Sequence, residues 1–398
     1  MTKSRLSGIR FTIFLILSVL IVPGVLADES KSLECGVILP LSGDFGELGN
    51  QVLQGIEYAV DEVNSQGGAG GYQINLTVAD DTGDPDLASR KFSEMNEKGI
   101  PVVIGSLTTN LTLPMAEKTI NNDDIVLISP RANGNALYGI SPRFYQVQSP
   151  VMFMGGVVAT WLSWTSSKSA LVFINDSYGQ SFKDDIILNL ANSASTKIVA
   201  EIPLTREDPG YSQTVQKILD SNADTVVLIG CDSGAADFLK SLSKAGFTGK
   251  ISLTESCLMN RVTEELTNET LGTFMTVAVQ CYSPLEPGYS GKMFISDYEK
   301  KYQTDPTFSY AGYGYDSVML IKEAILHAEL SGNVTASSLQ KGLKGQRYAG
   351  VTGPKVFDEK NTISPLYNEY LYTNGTFVLM TQANLYDMLH ELVKVVKS

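Results

Sequence analysis

Gly36-Val37-Ile38-Leu39-Pro40-Leu41 is a short apolar run that ends in a turn. Behind it, Gln51 to Asn64 carries Val52, Ile56, Ala59, Val60 and Val63 at helical spacing, and the glycines from Gly67 to Gly71 stop it. An apolar run bounded by a turn reads as a buried strand, and the spaced run reads as an amphipathic helix. The alternation continues outward from this unit. Gln73 to Ala79 reads as a strand, Asp86 to Lys98 as a helix and Val102 to Gly105 as a strand. Leu111 to Asn121 then reads as a helix and Ile125 to Ser129 as a strand. Strands alternating with helices in this order predict a doubly wound parallel sheet with helices on both faces.

The pattern restarts after Phe144 to Ser149. Helices are expected at Met152–Trp164, Gln180–Ala191, Tyr211–Ser221 and Ala235–Gly246. Strands are expected at Ala170–Asn175, Ile198–Ile202, Thr225–Gly230, Lys250–Thr254 and Thr273–Cys281. Three more helices follow, near Tyr289–Gln303, Asp316–Ser331 and Ala336–Lys344. Asn374-Gly375 between Tyr367–Tyr372 and Thr376–Thr381 is a hairpin signal. Ala383 to Lys397 is amphipathic, with Leu385, Leu389, Leu392, Val393 and Val396 on one side. Two α/β units of one plan predict two lobes. Ligand crevices in open α/β sheets lie at the carboxyl ends of the strands. Two such sheets facing each other make an interlobe cleft, and hinge closure is the motion that architecture allows.

Composition narrows the chemistry. The 398 residues carry a formal charge of −13, which disfavours nucleic acid and anionic membrane as partners. With only His327 and His390 present, a Ser-His-Asp triad, a Cys-His pair or a multi-histidine metal site has almost no material. No phosphate loop, H-E-x-x-H or G-x-S-x-G occurs. Asp80, Asp81 and Asp84 resemble a calcium loop only loosely, and a turn is the better reading. No cofactor or metal is therefore expected.

Lys3, Arg5 and Arg10 precede an apolar run from Phe11 to Leu26, and small residues Val25 and Ala27 follow helix-breaking Pro23-Gly24. Residues 1–27 thus have the form of a secretory signal peptide. The run is also about as long as the shortest membrane anchor, so retention remains the alternative. Removing a leader with three basic residues would take the net charge from −13 to −16. Cys35, Cys231, Cys257 and Cys281 show no zinc spacing; buried thiols or a bridge among the last three are both open. Six N-x-S/T sequons occur, and the one at Asn110 would lie at the cleft, where glycosylation is not expected.

Several segments resemble the branched-chain amino-acid type of periplasmic binding protein, the extracytoplasmic receptors of ABC importers. They are Pro40-Leu41-Ser42-Gly43-Asp44-Phe45-Gly46, Gln54-Gly55-Ile56-Glu57, Val63-Asn64 with Gly67-Gly68, and Asp80 to Pro85. Val103 to Ser106, Ile128-Ser129-Pro130, Asp176-Ser177-Tyr178-Gly179, Tyr315-Asp316 and Phe357-Asp358 continue the match, in the family's order, from Gly36 to Thr381. The resemblance implies a type I periplasmic-binding fold with three crossovers, near Gln146–Ser149, Tyr282–Leu285 and Ile363–Leu366. The lobes would then be 35–147 with 283–364, and 148–282 with 365–382, leaving 383–398 as a C-terminal helix. It implies a non-catalytic, monomeric receptor, exported to the periplasm or the outer face of the cytoplasmic membrane. Such a receptor binds an amino-acid-like solute (an amino acid or an amide) and delivers it to permease subunits. A ligand-sensing module for a separate membrane partner and an exported enzyme are the rival readings, and the scarcity of histidine weighs against the enzyme.

The resemblance also implies the site. In the family the first lobe holds the ligand's carboxylate and ammonium, and the matching segments here are Ser106-Leu107-Thr108-Thr109-Asn110 and Ser129 to Asn133. Each runs from a strand into a helix, where unpaired N–H groups suit a carboxylate. Thr108 and Thr109 add hydroxyls, or serve only as helix caps. Glu255, closing the strand Ile251–Thr254, matches the glutamate that pairs with a ligand ammonium and is expected to project into the crevice. Tyr178 matches an aromatic wall. Asn133 stands where a hydroxyl residue is common, Leu48 where an aromatic is, and Cys231 where some relatives have tyrosine. Arg131, beside Ala132, adds a charge that would meet an acidic ligand group or point to solvent.

Overall fold

A computed structural model describes residues 31–204, 211–230, 234–257, 267–271, 274–281, 289–306, 309–328, 333–345, 347–363 and 367–380. The expected leader, the helix over 383–398, Cys231, the crossover at Tyr282–Leu285 and most of that at Ile363–Leu366 lie outside them.

The first lobe is built on a parallel sheet of β1 (Lys31–Leu39), β2 (Tyr72–Asp80), β3 (Val102–Gly105), β4 (Val126–Ser129) and β5 (Phe144–Gln146), in the order β2-β1-β3-β4-β5. The second has β6 (Lys168–Ile174), β7 (Lys197–Leu204), β8 (Thr225–Ile229), β9 (Lys250–Leu253) and β10 (Met275–Cys281) running parallel. The hairpin β13 (Tyr367–Thr373) and β14 (Thr376–Leu379) adds antiparallel beside β10. Every residue of β3, β4 and β8 is buried. Helices cover both faces of a parallel sheet, so its central strands read as continuous apolar runs. Asn374 and Gly375 have φ of 52° and 87°, the paired left-handed residues of a type I′ turn.

The helices follow the expected stripes. In α1 (Gly46–Ser65), Val52, Ile56, Ala59, Val60 and Val63 are buried. α2 (Pro85–Glu97) is capped by Asp84, which accepts from the Asp86 and Leu87 N–H groups. α3 (Thr109–Glu117) follows β3, and α4 (Val151–Thr165), α5 (Ser177–Leu190), α6 (Ser212–Asp220) and α7 (Ala235–Lys244) surround the second sheet. The later helices Tyr289–Tyr302 and Ala311–His327 return to the first lobe: the Tyr298 hydroxyl donates to Gln54 Oε1 at 2.7 Å.

Two differences from the sequence reading have one cause. Helix Ala311–His327 begins well before the expected Asp316. Gly312 and Gly314 weaken its first turns in isolation, but Gly314 lies against α1. A Cβ there would sit 2.2 Å from the Val52 carbonyl oxygen, and one on Gly55 would sit 1.9 Å from that of Ala311. The hairpin β11 (Arg347–Gly350) with β12 (Gly353–Val356) was not expected at all. It is fastened to the same helix by Asp316, which accepts from the N–H groups of Val351 at 2.8 Å and Thr352 at 2.9 Å. Close backbone approach and a side chain satisfying distant amides leave no local pattern.

Candidate functional site

The candidate site forms where the strand ends of the two sheets face each other. In the first lobe the chain leaves β3 through Ser106-Leu107-Thr108 and enters α3. Thr108 is the N-cap, with its hydroxyl accepting the Leu111 N–H at 3.4 Å. Thr109 is 3% exposed, and its hydroxyl accepts the Gly134 N–H at 3.0 Å. That bond clamps the loop after β3 to the loop after β4. Ser106 is fully buried beneath them: its hydroxyl donates to Asp81 Oδ2 at 2.6 Å. Burial raises the Asp81 carboxyl above its ordinary pKa, against the lowering effect of the Ser106 and Gly83 hydrogen bonds. The acidic loop is thus committed to turn and cap contacts, with Asp80 accepting from Leu41 N–H and the Ser42 hydroxyl and Asp84 capping α2. Among the described residues no cluster of His, Cys, Asp or Glu could hold a metal ion.

The loop after β4 brings Arg131, Ala132 and Asn133 to the cleft, with Ser129 Oγ accepting the Ala132 N–H at 3.0 Å. From the second lobe comes the start of α5, capped by Asp176, which accepts the Gly179 N–H at 2.9 Å. Tyr178 on that turn donates its hydroxyl to Glu255 Oε1 at 2.9 Å. Burial is the main reason its pKa lies well above the ordinary tyrosine value, followed by the charge of Glu255, with Arg131 pulling the other way. The hydroxyl therefore keeps its proton and acts as a donor.

Arg131 and Glu255 depart from expectation together. Arg131 is 7% exposed and does not point to solvent. One guanidinium nitrogen donates to Gln148 Oε1, and Nη2 donates to the Tyr310 hydroxyl at 3.1 Å. The guanidinium stacks over the Tyr310 ring at 4.5 Å, a cation–π contact. Nη1 lies 3.6 Å from Glu255 Oε1, an ion pair across the cleft. Glu255 was expected to project into the crevice from the end of the strand Ile251–Thr254. It lies in a short 3-10 turn, Glu255–Cys257, is 2% exposed, and also accepts from Asn133 Nδ2 at 3.4 Å.

Leu107, Thr108, Thr109, Arg131, Ala132, Asn133 and Tyr178 line the cleft; Ser106 and Glu255 lie behind its wall, and Cys231 is outside the described residues. Phe45, Leu48 and Ile174 supply apolar wall, and a second cavity of about 340 Å³, which shares Phe45, Thr108, Ile174 and Asp176 with the cleft, lies beside Asn110 and Asn175. Sequence reasoning missed Gln148 and Tyr310. Tyr310 meets Arg131 from 179 positions away, so no spacing rule connects them. Cys35 is a buried thiol whose pKa burial pushes up to about 12.

A sequence profile described as periplasmic binding protein matches residues 32–367. The chain belongs to the periplasmic binding protein family. The resemblance to the branched-chain amino-acid type is carried by relatives described as Leu/Ile/Val-binding protein homologues, at 22–26% identity. The chain aligns with 58% of the length of a Brucella melitensis Leu/Ile/Val-binding protein homolog 3, at 26% identity over 215 residues that make up 53% of this chain. A Pseudomonas aeruginosa amino acid binding protein is 25% identical over 358 residues, 88% of this chain and 92% of that one. Among solved structures, a benzoate complex of a Rhodopseudomonas palustris ABC-transporter solute-binding protein superposes with a TM-score of 0.77. It covers 88% of this chain and 96% of that one, at 17% identity.

Proposed function

We propose that this periplasmic binding protein is the extracytoplasmic receptor of an ABC importer. It binds a small amino-acid-like or related solute between its lobes and presents the closed form to permease subunits, with ATP hydrolysis performed elsewhere. The observation that carries this reading is the convergence of polar groups from both lobes on one cleft. Thr108, Thr109, Arg131 and Asn133 come from one side and Tyr178 from the other, with apolar Phe45, Leu48, Leu107 and Ile174 between. Small-solute sites combine apolar walls with a few placed polar groups in this way.

The division into 35–147 with 283–364 and 148–282 with 365–382 goes with this proposal. It is supported by two sheets that share no strand pairing. Export is supported by the N-terminal basic and apolar segments. No helix among the described residues is long and apolar enough to cross a membrane.

A thermal-shift screen against amino acids, small amides and small carboxylates tests the proposal. A true ligand at 100 times its Kd stabilises the folded state by about 2.7 kcal/mol. Silence across the whole panel, repeated by calorimetry, would sink the reading.

A further inference from the structure

Glu255 is the carboxylate that matches an ammonium-binding position, and the cleft does not offer it to a ligand. It is 2% exposed and is not one of the walls. Three wall residues direct a polar atom at its Oε1, Tyr178 at 2.9 Å, Asn133 at 3.4 Å and Arg131 at 3.6 Å, while its buried Oε2 has no hydrogen-bond partner among the described residues. An ammonium group brought to that carboxylate would have to displace a guanidinium or lie beside it. Either arrangement places like charges together in a water-poor site.

The cleft instead presents a cation. Arg131 is a wall residue, is 7% exposed, and its buried Nε–H has no hydrogen-bond partner among the described residues. Burial alone would lower its pKa, but Tyr310 and then Glu255 more than offset this, so the guanidinium stays charged. Thr108 and Thr109, at the start of α3, belong to the same wall; beyond the Leu111 N–H that Thr108 caps, the first-turn N–H groups of a helix have no intrahelical partner and favour an anion. Asp176 is the carboxylate among the described walls, and it is engaged as the cap of α5. The remaining surface is apolar: Phe45, Leu48, Leu107 and Ile174.

We infer, on the reading of this cleft as a solute site, that it selects small monocarboxylates with an apolar body and no α-ammonium group, and that Arg131 is the cation that meets the carboxylate. A wall that includes the guanidinium and leaves the glutamate out complements a carboxylate better than a zwitterion.

Isothermal titration of the purified protein with matched pairs tests this. Leucine is compared with 4-methyl-2-oxopentanoate and 2-hydroxy-4-methylpentanoate, phenylalanine with 3-phenylpropionate, and benzoate is added as a compact aromatic acid. The acids lacking the ammonium should bind at least tenfold more tightly than their amino-acid partners. Equal or tighter binding of the amino acids overturns this inference and leaves the solute-receptor reading standing. Absence of binding by every acid, amino acid and amide overturns both. The double variant Arg131→Met with Glu255→Gln removes both charges at once, so neither is left buried and unpaired. It should keep the far-ultraviolet spectrum and lose at least tenfold in carboxylate affinity; retained affinity overturns the role of Arg131. Should that variant fail to fold, Arg131→Lys keeps the charge but not the planar fork. It is expected to bind severalfold more weakly, and unchanged binding counts against the proposal.

Discussion

Asn135 Nδ2 donates to Asp185 Oδ2 at 2.7 Å, joining the loop after β4 in the first lobe to α5 in the second. The Ser177 hydroxyl donates to Asn110 Oδ1 at 2.5 Å nearby, and the Arg131–Glu255 pair lies deeper in the same seam. The lobes are therefore joined by side-chain contacts that the proposed opening of the cleft would have to break.

Asn135→Ala should shift the free protein toward an open form. Losing one hydrogen bond to a carboxylate costs about 1.5 kcal/mol, a change of roughly tenfold in the closed-to-open ratio. Small-angle X-ray scattering of the unliganded protein should show a larger radius of gyration than the parent. An identical scattering curve would mean that this bond does not hold the lobes.

The glycine contact between α1 and the helix Ala311–His327 should tolerate no side chain. Gly314→Ala would place a Cβ 2.2 Å from the Val52 carbonyl oxygen, which is backbone and cannot swing away. Overpacking of this kind costs about 1–3 kcal/mol. Urea unfolding should show a lower midpoint with an unchanged slope.

Asp316 and Lys355 form a buried pair, 0% and 1% exposed at their side chains, with Nζ 3.5 Å from Oδ2. Lys355 also donates to the Thr352 carbonyl and hydroxyl, both at 2.8 Å. Lys355→Met leaves Asp316 charged in the interior and should cost about 3–5 kcal/mol. The double variant Asp316→Asn with Lys355→Met should lose less than the two single losses added. Additive losses in denaturant unfolding would show that the two side chains are not coupled.

Asp224 gives a pH signature. Its burial alone would raise the carboxyl, but hydrogen bonds from Thr225, Ser166 and the N–H groups of Ser167 and Lys168 hold it below the ordinary value. A depressed folded pKa means stability that is present above the unfolded carboxylate pKa and is lost as pH falls through the folded one. Asp224→Asn should therefore cost about 1 kcal/mol at neutral pH, a figure kept small because the side chain is 37% exposed. The difference from the parent should shrink below about pH 4 as the parent's own carboxyl protonates. A constant difference across that range would locate the effect elsewhere.

Much of the fold was legible because its cause is local. Val102 to Gly105 is the strand its apolar run announced, and Asn374-Gly375 is the turn its two left-handed residues require. Thr108 is a helix cap, as its position before an apolar helical stretch suggested. The extra hairpin β11–β12 and the early start of the Ala311–His327 helix were not legible. Both depend on Asp316 and on glycines that meet partners far along the chain.

The candidate site divides in the same way. Residues at strand ends could be named from the sequence, because a strand followed by a helix sends its loop to the crevice whatever the rest of the chain does. Their chemistry could not. Glu255 reads as a carboxylate projecting into the crevice and Arg131 as a solvent or ligand cation until the lobes meet, when each becomes the other's partner. The sequence by itself determined two parallel sheets, their order of strands and helices, and the loops that border the cleft, since periodicity and turn chemistry act within a few residues. Only the tertiary structure decided which charge the cleft presents. That depends on Arg131, Gln148, Glu255 and Tyr310 converging from distant segments and both lobes, where burial makes each group's state a property of its neighbours.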